Sequence, residues 1–194
     1  MYDLTAHRYD GIKQFDVDAE RFLVIRPLLD RLAEWPAPLV LDVATGTGRL
    51  PTFLLDEPTF NGRVIGLDAS ARMLSHARPK LSVYHQRANL VQQIAEDLPF
   101  AGDVFDAVTC LEALEFFPDD TVAAREMVRV LRPGGTLLVT RRRGWEAKTF
   151  VGRYRDQEAF TAFLLSLGLT AVETRLWQIE YDLVFARKPE IIKE

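Results

Sequence analysis

Apolar and polar positions fall into blocks along the chain, and the period within each block separates helices from strands. Between Val17 and Trp35, apolar residues recur at Phe22, Leu23, Ile25, Leu28, Leu29 and Leu32 with charges between them, which predicts a helix stopped by Trp35-Pro36-Ala37-Pro38. Pro27 lies inside that pattern, so two helical pieces or a kink are expected there. Leu39-Val40-Leu41, ending at Asp42, reads as a buried strand, and a glycine turn leads from it into a helix running to about Leu55. A second strand covers Arg63 to Leu67 and ends at Asp68. Ser70 is placed to cap the next helix, which Pro79 is expected to interrupt. Further strands are expected at Leu90 to Ile94, Phe105 to Cys110 and Gly135 to Arg141, with a helix from Thr121 to Leu131 and the turn Arg132-Pro133-Gly134-Gly135 before the last of them.

The tail breaks the alternation. A helix from about Asp156 to Leu167 stops at Gly168, and two strands, Thr170 to Trp177 and Glu180 to Ala186, follow with no helix between them, which predicts an antiparallel close to the sheet. The order as a whole predicts an α/β protein: an open, doubly wound, mostly parallel sheet with an antiparallel strand at one edge and a helix added in front. One domain accommodates all 194 residues, divided into a leading helical segment at 1–37, a core at 38–143 and a closing helix with edge strands at 144–194.

Composition removes several functions. The 24 basic and 28 acidic residues leave a net charge of −4, so an overall basic footprint for nucleic acid is missing. The single cysteine, Cys110, excludes an internal disulfide, and with His7, His76 and His85 scattered, no metal site is expected. The start of the chain is charged and has no apolar signal region, and no stretch approaches the roughly 20 apolar residues of a membrane span, so a cytoplasmic location is expected.

The chemistry is concentrated at Leu41 to Leu50, LDVATGTGRL, where Gly46 and Gly48 turn the chain from a strand into a helix. In an open α/β sheet that turn borders the ligand crevice, and glycine lets backbone approach a ligand. Asp68, twenty positions after Gly48, ends the second strand, where a carboxylate can accept hydrogen bonds from both ribose hydroxyls of a nucleoside cofactor, although it could equally belong to a helix cap. A dinucleotide fingerprint needs a third glycine where this chain has Pro51, and its first glycine, read from position 44, is Ala44. Asp42 before the turn opposes a pyrophosphate but suits the ammonium of a methionine moiety. No Gly-Lys-Ser/Thr follows, which removes a P-loop of the nucleoside-triphosphatase kind.

LDVATGTG, VIGLDASARML (64–74), AEDLPF (95–100), FDAVTCLEALEFFPD (105–119) and VRVLRPGGTLLV (128–139), in this order, resemble the class I S-adenosylmethionine-dependent methyltransferases, especially the small-molecule branch that includes the ubiquinone and menaquinone biosynthesis enzymes. The resemblance covers about residues 39–140 and implies a Rossmann-like fold, S-adenosyl-L-methionine as cofactor and a small-molecule methyl acceptor. It implies that Ala44, Thr45, Gly46 and Gly48 pack on the methionine part beside Asp42, and that Asp68 holds the ribose. Ala69 and Met73 would line the adenine, with Ala95 and Glu96 at its edge and Cys110 and Leu111 beside the transferable methyl. The leading segment would fold over the cofactor as a lid, with Tyr9 at its carboxylate; Tyr2, His7, Arg8 and Tyr9 could instead pack on the first helix.

Three positions depart from the family pattern. Ile94 stands where many relatives have an adenine-binding aspartate, Ala44 replaces a glycine and is tolerable if its φ stays negative, and Phe116 replaces a common histidine. Glu112 and Glu115 are then the available carboxylates beside the crevice, or else surface charges on a loop. Arg141-Arg142-Arg143 reads as a solvated run, with attraction of an anionic acceptor or RNA as the other reading. A binding protein that has lost catalysis and an NAD-dependent oxidoreductase are the competing functions. The acceptor, the catalytic base and the oligomeric state stay open.

Overall fold

The computed structural model describes residues 17–144, 146–149 and 155–191, and the chain divides after Ile94 into two compact units.

In the first unit, helix α1 begins at Val17–Glu20, widens into a π-helical turn at Arg21–Ile25 and continues as Arg26–Leu32. Pro27 explains the widening. It has no N–H to offer and its ring crowds the carbonyl one turn back, so the preceding turn relaxes to longer bonds, with the Arg26 N–H reaching the carbonyl of Arg21. Strands β1 (Leu39–Val43), β2 (Arg63–Asp68) and β3 (Ala88–Gln92) are parallel and ordered β3-β2-β1. Helices α2 (Arg49–Asp56) and α3 (Ala71–Leu81) make the crossovers. Ser70 caps α3 by accepting from the Met73 N–H at 3.1 Å.

Two expectations change here. Pro79 does not interrupt α3: it sits in the last turn, where the missing N–H forfeits a single backbone bond, and the helix runs on to Leu81. The third strand begins at Ala88 rather than Leu90, because its register is set by β2, with Val64 opposite Ala88 and Asp68 opposite Gln92.

In the second unit, strands β4 (Phe105–Cys110), β5 (Leu131–Arg142), β6 (Thr170–Leu176) and β7 (Tyr181–Arg187) are ordered β4-β5-β7-β6. β4 and β5 are parallel, and β7 runs against both β5 and β6. All six residues of β4 are buried, as an uninterrupted apolar run in a parallel sheet requires. Helix α4 (Asp120–Val130) is capped by Asp119, which accepts from the N–H groups of Thr121 and Val122 at 3.0 and 2.9 Å; α5 (Gln157–Ser166) is capped by Asp156. Leu131, expected to end α4, opens β5 instead. The Arg132-Pro133-Gly134-Gly135 turn is a bulge inside that strand: Phe105 pairs with Leu131 and Ala107 with Thr136. A Cβ on Gly135 would stand 2.7 Å from Leu131 Cδ1 and 2.9 Å from the Arg132 carbonyl, so only glycine fits there.

Candidate functional site

The turn after β1 is built on three left-handed residues, Ala44 (φ 56°), Gly46 (φ 57°) and Gly48 (φ 81°). The two glycines serve different ends. A Cβ on Gly46 would meet nothing within 4 Å, so this face of the turn is open, whereas one on Gly48 would press on Ala77 and Leu81 of α3 at 3.2 Å. The condition under which alanine would replace the glycine without strain, a negative φ, is not met at Ala44. The turn needs a left-handed residue at that place, and alanine adopts it at a cost of about 1 kcal/mol.

Asp68 ties the turn to β2. One carboxylate oxygen accepts the Gly46 N–H at 2.8 Å and the other the Ser70 N–H at 2.9 Å. The carboxylate is therefore fixed in orientation and only partly buried. Thr45 donates its N–H to the Leu67 carbonyl at 3.0 Å and packs over Gly66, where a Cβ would come within 2.9 Å of its hydroxyl oxygen. That hydroxyl is buried and has no hydrogen-bond partner among the described residues. Asp42, at 3% exposure, is buried at the end of β1, Ala69 is exposed, and Met73 is buried in the first turn of α3. Tyr9, with Tyr2, His7 and Arg8, lies outside the described residues.

In the second unit, Ala95 is buried and Glu96 accepts the Asp119 N–H at 3.3 Å. The loop that carries them is gripped from α4. Glu126 accepts the Leu98 N–H at 3.0 Å, and Arg129 donates to the carbonyls of Leu98 at 3.0 Å and Phe100 at 2.8 Å while pairing with Glu126 at 2.7 Å. Hydrogen bonding from Arg129 holds the Glu126 carboxyl below its ordinary range despite partial burial, and the same bond raises the Arg129 guanidinium. Neither residue was singled out from sequence; the signal was a Glu and an Arg at i, i+3 on one helix face. Ile94, the last residue of the first unit, is exposed.

At the end of β4, Cys110 is fully buried and Leu111 partly so. Glu112 takes a left-handed φ of 56° and donates its N–H to Thr140 Oγ1 at 2.6 Å. Glu112 and Glu115 are not surface charges: they are 6% and 8% exposed. Glu115 accepts a hydrogen bond from Tyr181 Oη at 2.6 Å and lies 3.6 Å from Arg142, whose guanidinium also faces the rings of Tyr181 and Phe116. The arginine run is engaged in ion pairs, with Arg141 and Arg142 largely covered and Arg143 more than a third exposed. Arg141 and Arg143 both pair with Asp182, and Arg142 with Glu115 and Glu180, because β7 folds back beside β5 and brings its acids opposite them. Among the described residues no group of three or more His, Cys, Asp and Glu could hold a metal, and no helix is long and apolar enough to cross a membrane.

Residues 40–135 match the family described as "Methyltransferase domain". The ubiquinone/menaquinone biosynthesis C-methyltransferase UbiE of Hahella chejuensis is 32% identical over 180 residues, covering 92% of this chain and 72% of that protein. UbiE of Geotalea daltonii is 32% identical over 146 residues, 72% of this chain and 60% of the relative's length, so the chain spans only about three-fifths of that relative. A solved S-adenosylmethionine-dependent methyltransferase from Clostridium acetobutylicum shares the fold, with a TM-score of 0.77 at 16% identity over 97% of this chain and 99% of that one.

Proposed function

We propose that this chain, which belongs to the class I S-adenosylmethionine-dependent methyltransferases, transfers a methyl group from S-adenosylmethionine to a carbon atom of a small organic acceptor. The observation that carries the reading is the lock between Gly46 N–H and Asp68, beside a turn whose Gly46 face is open. It fixes the orientation of a carboxylate whose chemistry suits ribose hydroxyls, and the buried Thr45 hydroxyl has no hydrogen-bond partner among the described residues. These residues fit the cofactor's polar groups.

When bound, S-adenosylmethionine supplies a sulfonium-activated methyl group. Asp68 would accept from the ribose hydroxyls, and Asp42 would balance the charge of the methionine ammonium beside Ala44, Thr45, Gly46 and Gly48. By the family resemblance, Ala69 and Met73 would line the adenine, Ala95 and Glu96 would offer contacts at its edge, and Cys110 and Leu111 would lie beside the methyl. The chain's main contribution to rate is alignment and exclusion of water.

The names of the Hahella and Geotalea relatives as C-methyltransferases support a carbon acceptor. Methylation of a carbon acid forms a C–C bond, breaks the S–CH3 bond and releases a proton to a base. Glu112 and Glu115, the carboxylates that follow β4, are the candidates for that role, Glu115 being oriented by Tyr181 and Arg142.

Calorimetry tests the reading. S-adenosylmethionine and S-adenosylhomocysteine are expected to bind, and Asp68→Ala to weaken both about a hundredfold through loss of two hydrogen bonds to a charged acceptor. Absence of binding by either compound at millimolar concentration overturns it. Binding without acceptor-dependent release of S-adenosylhomocysteine across a broad panel would instead favour a protein that has lost catalysis, a reading that Ile94 and Phe116 support.

A further inference from the structure

The adenine side of the site poses a problem of its own. By the family resemblance, Ile94 stands where many relatives have an adenine-binding aspartate, and its apolar side chain, 48% exposed, supplies no polar substitute. On the methyltransferase reading, the polar contacts to adenine then fall to the backbone and side chains of the loop that begins at Ala95, where the resemblance places the adenine edge. A backbone reader discriminates only if it is held still, because a misplacement of about 1 Å forfeits most of a hydrogen bond. Loops of this kind are ordinarily among the more mobile parts of a domain.

This loop is held by three polar ties from one helix. At the start of α4, the Asp119 N–H donates to Glu96. Further along the helix, Glu126 takes the Leu98 N–H. Arg129 commits all three of its nitrogens: Nε and Nη2 to the two Glu126 oxygens at 2.7 Å each, Nη2 also to the Leu98 carbonyl, and Nη1 to the Phe100 carbonyl. The fork satisfies the donor of Leu98 and the acceptors of Leu98 and Phe100 at once, which a lysine's compact ammonium cannot reproduce.

We propose that Glu126 and Arg129 are positioning residues for adenine recognition, acting through the 95–100 loop in place of the missing side chain at position 94. The inference rests on the methyltransferase reading and adds to it the residues that set selectivity for the base. Arg129→Lys and Glu126→Gln keep side-chain length and a hydrogen-bonding group, so they loosen the loop without emptying the site. Lys188→Met is the control. Lys188 Nζ donates to the carbonyls of Val128 and Leu131 and to Asp103, so its loss weakens the same end of α4 without touching the 95–100 loop.

The experiment measures the Kd of each variant for S-adenosylhomocysteine and for its inosine analogue, in which a carbonyl replaces the adenine amino group, together with the melting temperature. Arg129→Lys and Glu126→Gln are expected to weaken S-adenosylhomocysteine about tenfold and to narrow its preference over the inosine analogue, the loss of roughly one charge-assisted hydrogen bond's worth of positioning. Lys188→Met is expected to lower the melting temperature with both Kd values unchanged. An unchanged preference in the two clamp variants overturns the inference, as does an equal change in Lys188→Met. If the unsubstituted protein binds S-adenosylhomocysteine, either result is a failure of the clamp alone; if it binds neither compound, the methyltransferase reading falls with it.

Discussion

At the scale of single residues, Ala44 is where the chain holds strain. Its φ of 56° belongs to a region that only glycine enters freely, yet it stands in the turn between β1 and α2 with Gly46 and Gly48 in the same conformation. Ala44→Gly is therefore expected to stabilise the protein by about 0.5–1 kcal/mol, since relief of strain exceeds the added freedom of the unfolded chain. For a chain of this size the melting temperature would rise about 2 °C, read by calorimetry at a fixed scan rate. A fall in melting temperature would mean that the left-handed turn is not the solution conformation. Asp68 shows the opposite economy: its two oxygens hold the Gly46 and Ser70 N–H groups, so one side chain closes the turn and starts the next helix.

At the scale of elements, α4 is more than a crossover between two strands. Because Arg129 lowers the Glu126 pKa in the folded protein, the clamp contributes stability that is fully present above the unfolded glutamate value of about 4.3 and is lost as pH falls through the lower folded value. Urea midpoints of the native chain and of Glu126→Gln should accordingly differ at pH 7 and converge below about pH 4; a constant gap across that range would show that ionisation of Glu126 plays no part. The elements also show what the amino-acid order discloses. β1, β2 and β4 were legible because buried parallel strands read as apolar runs, and α3 because Ser70 marks its start. β3 was displaced by two residues because, half exposed, it carries no clear alternation and takes its register from β2. The glycine turn and Asp68 were legible from spacing alone. The burial of Glu112 and Glu115 was not: Glu112 is tied to Thr140 of β5, and Glu115 is met by Tyr181 of β7, some 66 residues later in the chain.

At the scale of the whole chain, the tail turns a basic run into structure. Asp182 stands directly across from Arg141 in the β5–β7 ladder, pairs with it and with Arg143, and is 5% exposed; Arg155 reaches Asp120 at 2.5 Å, and Lys188 ties the far end of β7 to the end of α4. A net charge of −4 with these arginines engaged leaves little of the run to attract an anionic polymer. The Arg141–Asp182 pair also carries an asymmetric energetic expectation. Taking two charges out of water costs nearly as much as their attraction returns, so the pair adds little net stability, whereas removing one member leaves the other buried and uncompensated. Asp182→Asn is expected to cost about 3 kcal/mol in urea unfolding, because Arg141 and Arg143 lose the same partner together. Arg141→Met combined with Asp182→Leu should recover most of that loss, the two apolar side chains filling the space across the ladder. If the single substitution costs less than about 1 kcal/mol, the pair behaves as a solvated surface bridge, and the tail is then held to β5 by backbone pairing and apolar packing rather than by its charges.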